Sequence, residues 1–310
     1  MNPQQLADRL RAGDRSVLGR VISVAENGGE RWQRLLRLLS PADDTAIIGF
    51  TGSPGSGKST LIDALITELR GREKTIAVVA IDPSSPFSGG AVLGDRCRMN
   101  RHQGDQGVYI RSLSARGSVG GLSAGAGRVV EVLKSGSFDL VLIETVGSGQ
   151  SEVDILELAD MCIVICTPNS GDDIQAIKSG ICEIADILVV NKADLAGADR
   201  TIQQLITAGN LPSNAARKVP VLSAVATQGT GIPGLVNRIL AQDSTARAAT
   251  PDRKDSGRIH RRLARTIARD VEQHLLDSSD QELTELCDLI QRGQSSFKNA
   301  ALAWMTKRKL

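Results

Sequence analysis

Short β-rich apolar runs alternate with segments of helical spacing from residue 45 onward, and this alternation constrains the fold more than any other feature. The runs read TAIIGFTG, TIAVVAID, GVYIRSL, DLVLIET, MCIVICTP, ILVVNKAD and VPVLSA. They are almost continuously apolar, as strands are when helices cover both faces of a parallel sheet. We therefore expect an α/β fold with a mainly parallel sheet over residues 43–241.

Helical segments flank this core on both sides. Residues 1–42 carry leucines and valines at helical spacing, whereas the polar stretch 242–257 is predicted to be a linker. Residues 258–310 form a predicted C-terminal helical extension, in which an apolar stripe runs from Ile259 to Leu275 at every fourth residue. The stripe either packs back on the core or pairs with another subunit, and we favour a dimer.

Composition narrows the possible partners and compartments. A net charge of +2 with interspersed signs and an aromatic content of 2% give no sign of nucleic acid or an anionic membrane. The five cysteines form no C-x-x-C pair and no metal-ligand spacing, which fits a reduced compartment. No stretch approaches the ~20 apolar residues of a membrane span, and the N-terminus lacks a signal peptide's apolar region. We expect a cytoplasmic protein.

The segment GSPGSGKS lies between the first apolar run and a helical segment, and it matches G-x-x-x-x-G-K-[ST]. In such a loop, glycines allow backbone N–H groups to surround a phosphate, and the helix N-terminus adds its positive end. Lys58 is expected to reach the β- and γ-phosphate oxygens and Ser59 to ligate Mg²⁺. The predicted phosphate-binding residues are Gly52, Ser53, Pro54, Gly55, Ser56, Gly57, Lys58, Ser59 and Thr60.

The segment NKAD, at the end of a later apolar run, predicts which base is bound. The carboxylate of Asp194 can accept from both N1–H and the 2-amino group of guanine, whereas adenine would leave it unsatisfied. Asn191 is expected to hold the loops together, and the stem of Lys192 to cover the ring. In VLSA, Ser223 is expected to support its loop, and the amide of Ala224 to face guanine O6. The predicted ligand is GTP rather than ATP.

Acidic residues at strand ends are candidates for the metal and the switches. Asp82 ends the run TIAVVAID, Asp95 lies in AVLGDRCRM, and Glu144 stands where most G proteins carry Asp. Their structural alternatives are a turn before a proline for Asp82 and a surface ion pair for Asp95. In open α/β sheets, strand ends beside a P-loop lie in the ligand crevice, which favours a site. Glu144 is one methylene longer than Asp and can reach the metal or its waters from further back.

The residue after Gly147 is Ser148, not the Gln that orients the attacking water in most G proteins. Gln150 lies three residues beyond Gly147, and spacing alone assigns it no catalytic role. The sequence therefore predicts slow unaided hydrolysis that is completed by a partner.

Taken together, these segments resemble the methylmalonyl-CoA mutase-associated GTPases of the MeaB/ArgK type. The resemblance rests on GSPGSGKSTL, VVAIDPSSPFSGGAVLGDRCRM, ETVGSGQSE, TPNSGDDIQAIKSGICEIADILVVNKADL and VLSA, and it extends over residues 45–240. Glu144 in place of Asp is part of this family's pattern. Ser148 departs from it, since the relatives carry an aliphatic residue there, and such a departure is compatible with a branch that serves a different mutase.

The resemblance implies a SIMIBI-like P-loop GTPase that forms homodimers and acts as a chaperone for an adenosylcobalamin-dependent acyl-CoA mutase. It implies that the protein gates cofactor loading and protects or reactivates the mutase. It also implies a Mg²⁺ site of Ser59, Asp82, Asp95 and Glu144, and a catalytic set of Lys58, Asp82, Asp95, Glu144 and Lys178. The implied switch residues are Gly147, Gln150, Asp172, Asp173, Gln175 and Lys178.

Three other functions compete with this interpretation. A nickel-delivery GTPase would need a His- or Cys-rich store, but the three histidines are scattered. A kinase for amino-acid transport would need ATP, but the NKAD segment favours guanine over adenine. A binding module in which GTP is structural and hydrolysis incidental stays open, because the usual Gln is absent.

Overall fold

The computed structural model describes residues 1–39, 45–82, 99, 101–114, 124–145, 158–168, 185–209, 219–248, 264, 267, 275 and 281–307. The chain divides into two compact units, Met1–Ala248 and Ala249–Leu310.

Within the described residues of the larger unit, seven strands form one sheet in which every neighbouring pair is parallel. They are β1 Ala46–Gly52, β2 Ile76–Asp82, β3 Val108–Ser114, β4 Leu140–Thr145, β5 Met161–Cys166, β6 Ile187–Asn191 and β7 Val221–Ala224. Each corresponds to one of the apolar runs, so the predicted parallel sheet is confirmed.

The strand order β3-β2-β4-β1-β5-β6-β7 places β1 at the centre. The chain leaves β1 for β2 on one side of the sheet, and after β4 it crosses to β5 on the other side. Such a reversal opens a crevice at the carboxyl ends of the strands, where ligands of this fold class bind. The connection after β1 contains the GSPGSGKS segment, so the topology puts that segment in the crevice.

Helices cover both faces of the sheet. They are α1 Pro3–Arg11, α2 Leu18–Asn27, α3 Gly29–Leu36, α4 Lys58–Gly71, α5 Ala124–Lys134, α6 Ala198–Gly209 and α7 Ile232–Ala248. One buried cluster joins α1–α3, α5 and α6 to one face, and a second joins α4 and α7 to the other. Side chains of successive strand residues point to opposite faces, so Ile47 belongs to the first cluster and Ile48 to the second.

The predicted N-terminal helices are confirmed, and polar contacts hold them to the core. The guanidinium of Arg15 donates to the carbonyls of Gln106 at 2.7 Å and Ser137 at 3.1 Å, and lies 4.2 Å from the centre of the Phe138 ring. Arg111 of β3 pairs with Glu26 of α2 at 2.6 Å. The N-terminal helices are therefore an integral layer of the larger unit.

Aspartates that immediately precede three strands cap the amino edge of the sheet. Asp139, before β4, accepts from the amide of Thr75 at 2.7 Å, and Asp160, before β5, accepts from the amide of Ile47 at 3.0 Å. Asp186, before β6, accepts from the amide of Cys162 at 2.6 Å. In each case a carboxylate satisfies a backbone donor at the start of the neighbouring strand, which would otherwise lose its partner.

The second unit contains α8 Gln281–Gln291 and α9 Phe297–Lys307 among its described residues. Lys307 pairs with Glu282 at 2.6 Å and ties the two helices together. The C-terminal helices are thus confirmed, although most of the stripe from Ile259 to Leu275 lies outside the described residues.

One boundary differs from the expectation. The predicted linker begins at residue 242, but α7 continues to Ala248, so its first seven residues are helical. Polar composition indicated a loop there, yet Gln242, Ala246, Arg247 and Ala248 are good helix formers. No helix in the described part of the chain is long and apolar enough to cross a bilayer.

Candidate functional site

The loop between β1 and α4 places the GSPGSGKS motif at the carboxyl edge of the sheet, and backbone geometry demands its two motif glycines. Gly52 has φ +146°, and a Cβ there would collide with the carbonyl oxygen of Ile165 in β5. Gly57 has φ +87°, and a Cβ there would lie 2.5 Å from Nδ2 of Asn191. Any other residue at either position would push the loop away from β5 or β6.

Lys58 is the first residue of α4, and its ammonium folds back over the loop. Nζ donates to the carbonyls of Gly52 at 2.8 Å and Ser53 at 3.0 Å, and the residue is 7% exposed. An ammonium held this way stands beside the N-terminus of α4, where free N–H groups and the helix dipole attract anions. The arrangement suits a phosphate group.

Ser59 and Glu144 bring the loop and the predicted switch strand together. Oγ of Ser59 donates to Oε1 of Glu144 at 2.6 Å, and the two residues are 4% and 3% exposed. The register explains the reach, because Glu144 pairs with Phe50 of β1 on one side and Ala80 of β2 on the other. The extra methylene of Glu lets its carboxylate contact the serine of the phosphate helix directly.

This pair fits a bound Mg²⁺ by its donor chemistry. Mg²⁺ prefers hard oxygen ligands and is commonly held by a few protein oxygens together with phosphate and water. A serine hydroxyl that donates its proton to a carboxylate keeps its lone pairs available for a cation, and the carboxylate orients it. Ser59 is thus suited to be a ligand, with Glu144 as the group that orients it.

Asp82 ends β2 at the same edge, one residue beyond the pairing of Ile81 with Thr145. Its backbone therefore lies two strands from β1, while its side chain is outside the described part. Several other predicted residues also lie outside the described residues: Asp95, Gly147, Ser148, Gln150, Asp172, Asp173, Gln175 and Lys178. The structure therefore brings together the P-loop and Glu144 of the predicted catalytic and metal set.

The NKAD segment follows β6 and contacts the phosphate loop. Nδ2 of Asn191 donates to the carbonyl of Ser56 at 2.9 Å, and its Oδ1 accepts from the amide of Ala226 at 3.2 Å. Nζ of Lys192 donates to the carbonyl of Gly55 at 2.8 Å, and this lysine has φ +56°. Asn191 therefore joins three segments, namely the NKAD loop, the phosphate loop and the turn after β7.

The predicted guanine-recognition residues lie close together beyond this junction. Ala224 of β7 is directly opposite Asn191 in the sheet, and its carbonyl accepts from the amide of Ala193 at 3.1 Å. Asp194 and Ser223 are exposed to solvent. An exposed carboxylate beside a buried asparagine gives a base a place to dock without first breaking an internal ion pair.

Sequence reasoning assigned no role to Asp63, a largely buried carboxylate on α4 that pairs with Arg101 and His102. The available signal was its spacing, four residues after Ser59, which puts both side chains on one helix face. Among the described residues, no group of three or more His, Cys, Asp or Glu is placed to hold a metal ion.

Comparison with known proteins points to one family. The family model described as methylmalonyl Co-A mutase-associated GTPase MeaB matches residues 18–280. A protein of Pyrococcus abyssi named as a GTPase is 46% identical over 240 residues, which cover 76% of this chain and 74% of that protein. A mitochondrial methylmalonic aciduria type A homolog of Caenorhabditis elegans is 37% identical over 209 residues, which cover 62% of this chain and 52% of that protein.

Among solved structures, that of a LAO/AO transport system kinase superposes with a TM-score of 0.69. The match covers 99% of this chain and 98% of the other at 23% identity, so it supports the fold alone.

Proposed function

The chain belongs to the methylmalonyl-CoA mutase-associated GTPases, the MeaB family, and from this premise we propose that it is a cytoplasmic chaperone for an adenosylcobalamin-dependent acyl-CoA mutase. In this role it binds and hydrolyses GTP, gates loading of the cofactor and protects or reactivates the mutase. The observation that carries the proposal is the buried hydrogen bond between Ser59 and Glu144 at 2.6 Å.

That hydrogen bond supports the proposal because it connects the phosphate-binding helix α4 to the strand β4 that precedes the predicted switch. Ser59 belongs to the helix that is placed to hold phosphate, and Glu144 is the second-last residue of β4. Gly147 and Gln150, two of the predicted switch residues, follow β4 closely in the chain. A change of charge at the phosphates therefore has a short route, through one hydrogen bond between two buried side chains, to the segment that a partner is expected to read.

The chemistry assigned to the chain's own residues is mainly positioning and electrostatic. Lys58 and the N-terminus of α4 would hold the β- and γ-phosphates, and Ser59, oriented by Glu144, would ligate Mg²⁺ together with Asp82 and Asp95. When bound, Mg²⁺ neutralises the charge that the phosphate oxygens develop during transfer. Asn191, Lys192 and Asp194 hold guanine, and Lys178 contacts the other switch residues when the nucleotide changes.

GTP turnover with and without a client tests this proposal. Purified protein is assayed alone and with an adenosylcobalamin-dependent methylmalonyl-CoA mutase, with ATP as the control nucleotide. We expect slow turnover alone and an increase on the order of tenfold or more with the mutase, because a partner supplies the missing orientation of water. Unchanged turnover with the mutase and with its isobutyryl-CoA counterpart would contradict the chaperone role.

The gating role has its own test. The mutase is loaded with adenosylcobalamin in the presence of the chain and either GTP or a non-hydrolysable analogue, and bound cofactor is followed by its visible spectrum. We expect the final occupancy to depend on which nucleotide is present, and the Lys58→Ala chain to abolish that dependence. Equal occupancy under all conditions would leave a GTP-stabilised scaffold as the better description.

The proposed homodimer uses the C-terminal extension. Phe297 is 80% exposed, Leu302 49% and Leu289 39%, which is a large apolar exposure for helices of one small unit. We expect sedimentation velocity to give a dimer for the full chain and a monomer for a Phe297→Asp, Leu302→Asp variant. A dimer that survives both substitutions would place the interface elsewhere.

A further inference from the structure

Residues 101–107, which precede β3, form a strap that is fastened to α4 by side-chain contacts at two points, one near Ser59 and one far from it. At the far point, Asp105 forms a bidentate ion pair with Arg70, with distances of 2.8 and 3.0 Å. At the near point, Arg101 and His102 contact Asp63. Asp63 and Arg70 are seven residues apart on the helix, so the two fastenings are about 10 Å apart along its axis.

The near fastening is a largely buried carboxylate. The Asp63 side chain is 12% exposed, Nε2 of His102 lies 3.0 Å from its Oδ1, and Arg101 contacts Oδ2. The His102 side chain is 8% exposed, whereas that of Arg101 is 55% exposed. Burying a carboxylate carries a desolvation penalty that an apolar side chain would avoid. The position inside the apolar contact of α4 thus holds a polar junction, in which Nε2 of His102 also lies 3.3 Å from the backbone carbonyl oxygen of Asp63.

The junction lies close to the turn of α4 that carries Lys58 and Ser59. Asp63 is one helical turn from Ser59, about 6 Å along the axis. The chain leaves β2 at Asp82, on the carboxyl edge of the sheet, and Arg101 is the first residue of the strap. The chain that follows β2 therefore contacts α4 at Asp63, beside the helix turn that begins with Lys58 and Ser59.

We propose that Asp63 is a positioning residue for GTP hydrolysis: through Arg101 and His102 it fixes the point at which the chain following β2 rejoins the phosphate-binding helix. The inference rests on the phosphate and metal roles proposed above for Lys58 and Ser59. Asp63 touches neither nucleotide nor metal. It sets the register of the strap against α4, and with it the position of the helix turn that carries Lys58 and Ser59.

The Asp63→Asn variant tests this role, because the amide keeps the shape of the carboxylate and removes the negative charge that pairs with Arg101. We expect kcat for GTP to fall about tenfold and the Mg²⁺ concentration for half-maximal turnover to rise, since small displacements of catalytic groups reduce rates steeply. KM for GTP and the affinity for GDP should change less than about twofold, because the interactions that bind the nucleotide remain.

Asp105→Asn is the matched control, since it breaks the far fastening of the same strap. It should lower the midpoint of thermal unfolding as much as Asp63→Asn does, and leave kcat and the Mg²⁺ dependence unchanged. His102→Asn should reproduce the loss of kcat of Asp63→Asn. The Asp63→Asn, His102→Asn double variant should lose no more kcat than either single variant, as expected for residues acting as a unit.

Two results would overturn the inference: an unchanged kcat in Asp63→Asn, or an equal loss of kcat in Asp63→Asn and Asp105→Asn. The Ser59→Ala variant separates this inference from the proposed function. If it abolishes turnover while Asp63→Asn behaves as wild type, the site stands and the positioning role fails. If Ser59→Ala retains full turnover, the proposed site itself fails.

Discussion

The two edges of the central sheet use carboxylates in opposite ways. At the amino edge, Asp139, Asp160 and Asp186 each accept a hydrogen bond from the backbone of the neighbouring strand. At the carboxyl edge, Glu144 accepts from a side chain of the phosphate helix, and Asp194 stands exposed in the NKAD loop. Carboxylates thus accept from backbone amides at one edge of the sheet, and at the other they lie at the predicted nucleotide site.

The difference follows from what each edge must satisfy. Backbone amides at strand starts need acceptors whether or not a ligand is present, so their carboxylates are structural. At the other edge, the first N–H groups of α4 have no partner within their helix, and the loops present donors and acceptors toward the crevice. Substitutions at the amino edge should therefore change stability, and those at the carboxyl edge should change nucleotide binding.

The largest expected effect is on base selectivity. In Asp194→Asn, an amide presents a donor where the carboxylate accepted, so the preference for GTP over XTP should fall on the order of a thousandfold. Competition binding with the two nucleotides measures it, and stability in urea should stay unchanged because the residue is exposed. An unaltered GTP preference would refute the assignment of the base site.

The next effect is on phosphate affinity. Lys58→Ala removes the ammonium that folds over the loop and should weaken GTP binding about a hundredfold, as expected when a charged hydrogen-bond donor is lost. Fluorescence titration with a labelled nucleotide measures this change. Comparable affinity for GTP in the variant would show that the loop binds phosphate through its backbone alone.

At the amino edge, Asp186→Ala should lower the free energy of unfolding by about 2 kcal/mol, because it leaves the buried amide of Cys162 without its acceptor. Urea denaturation measures the loss, and the folded protein should bind GTP as before. Asp186→Asn is the control, since it retains an acceptor oxygen and should lose less. A drop in GTP affinity of Asp186→Ala at constant stability would contradict the assignment of the amino edge to stability and the carboxyl edge to nucleotide binding.

The smallest expected effect is a pH dependence at Asp139. Partial burial acts to raise the pKa of this carboxyl, but hydrogen bonds from Thr75 and Lys74 outweigh it and hold the pKa below the ordinary 3.8. The folded state thus binds fewer protons than the unfolded state, so the contribution is complete above pH 3.8 and is lost as the pH falls through the lower, folded pKa.

Asp139→Asn should therefore lower the free energy of unfolding by about 1 kcal/mol at neutral pH and by less below pH 3.8. Urea titrations at a series of pH values check this. A loss that is the same at every pH would mean that packing, rather than the charge of the carboxylate, accounts for the effect.

The amino-acid sequence alone determined the parallel sheet, and it predicted the phosphate loop and the guanine segment. These features are local, because each can be recognised within a few residues. They are an apolar run of strand length, a glycine that must adopt positive φ, and an asparagine at a strand end. Composition was less informative at residues 242–248, where a polar segment belongs to the end of α7.

Only the tertiary structure decided which distant residues meet. The bond between Ser59 and Glu144 joins residues 85 positions apart, and the junction of Asp63 with His102 depends on where the strap crosses α4. The pairing of each strand-start aspartate with its neighbouring strand likewise requires the order of the strands, which is not the order of the chain. These contacts arise because packing places residues by topology, whereas a sequence pattern records only what each segment prefers by itself.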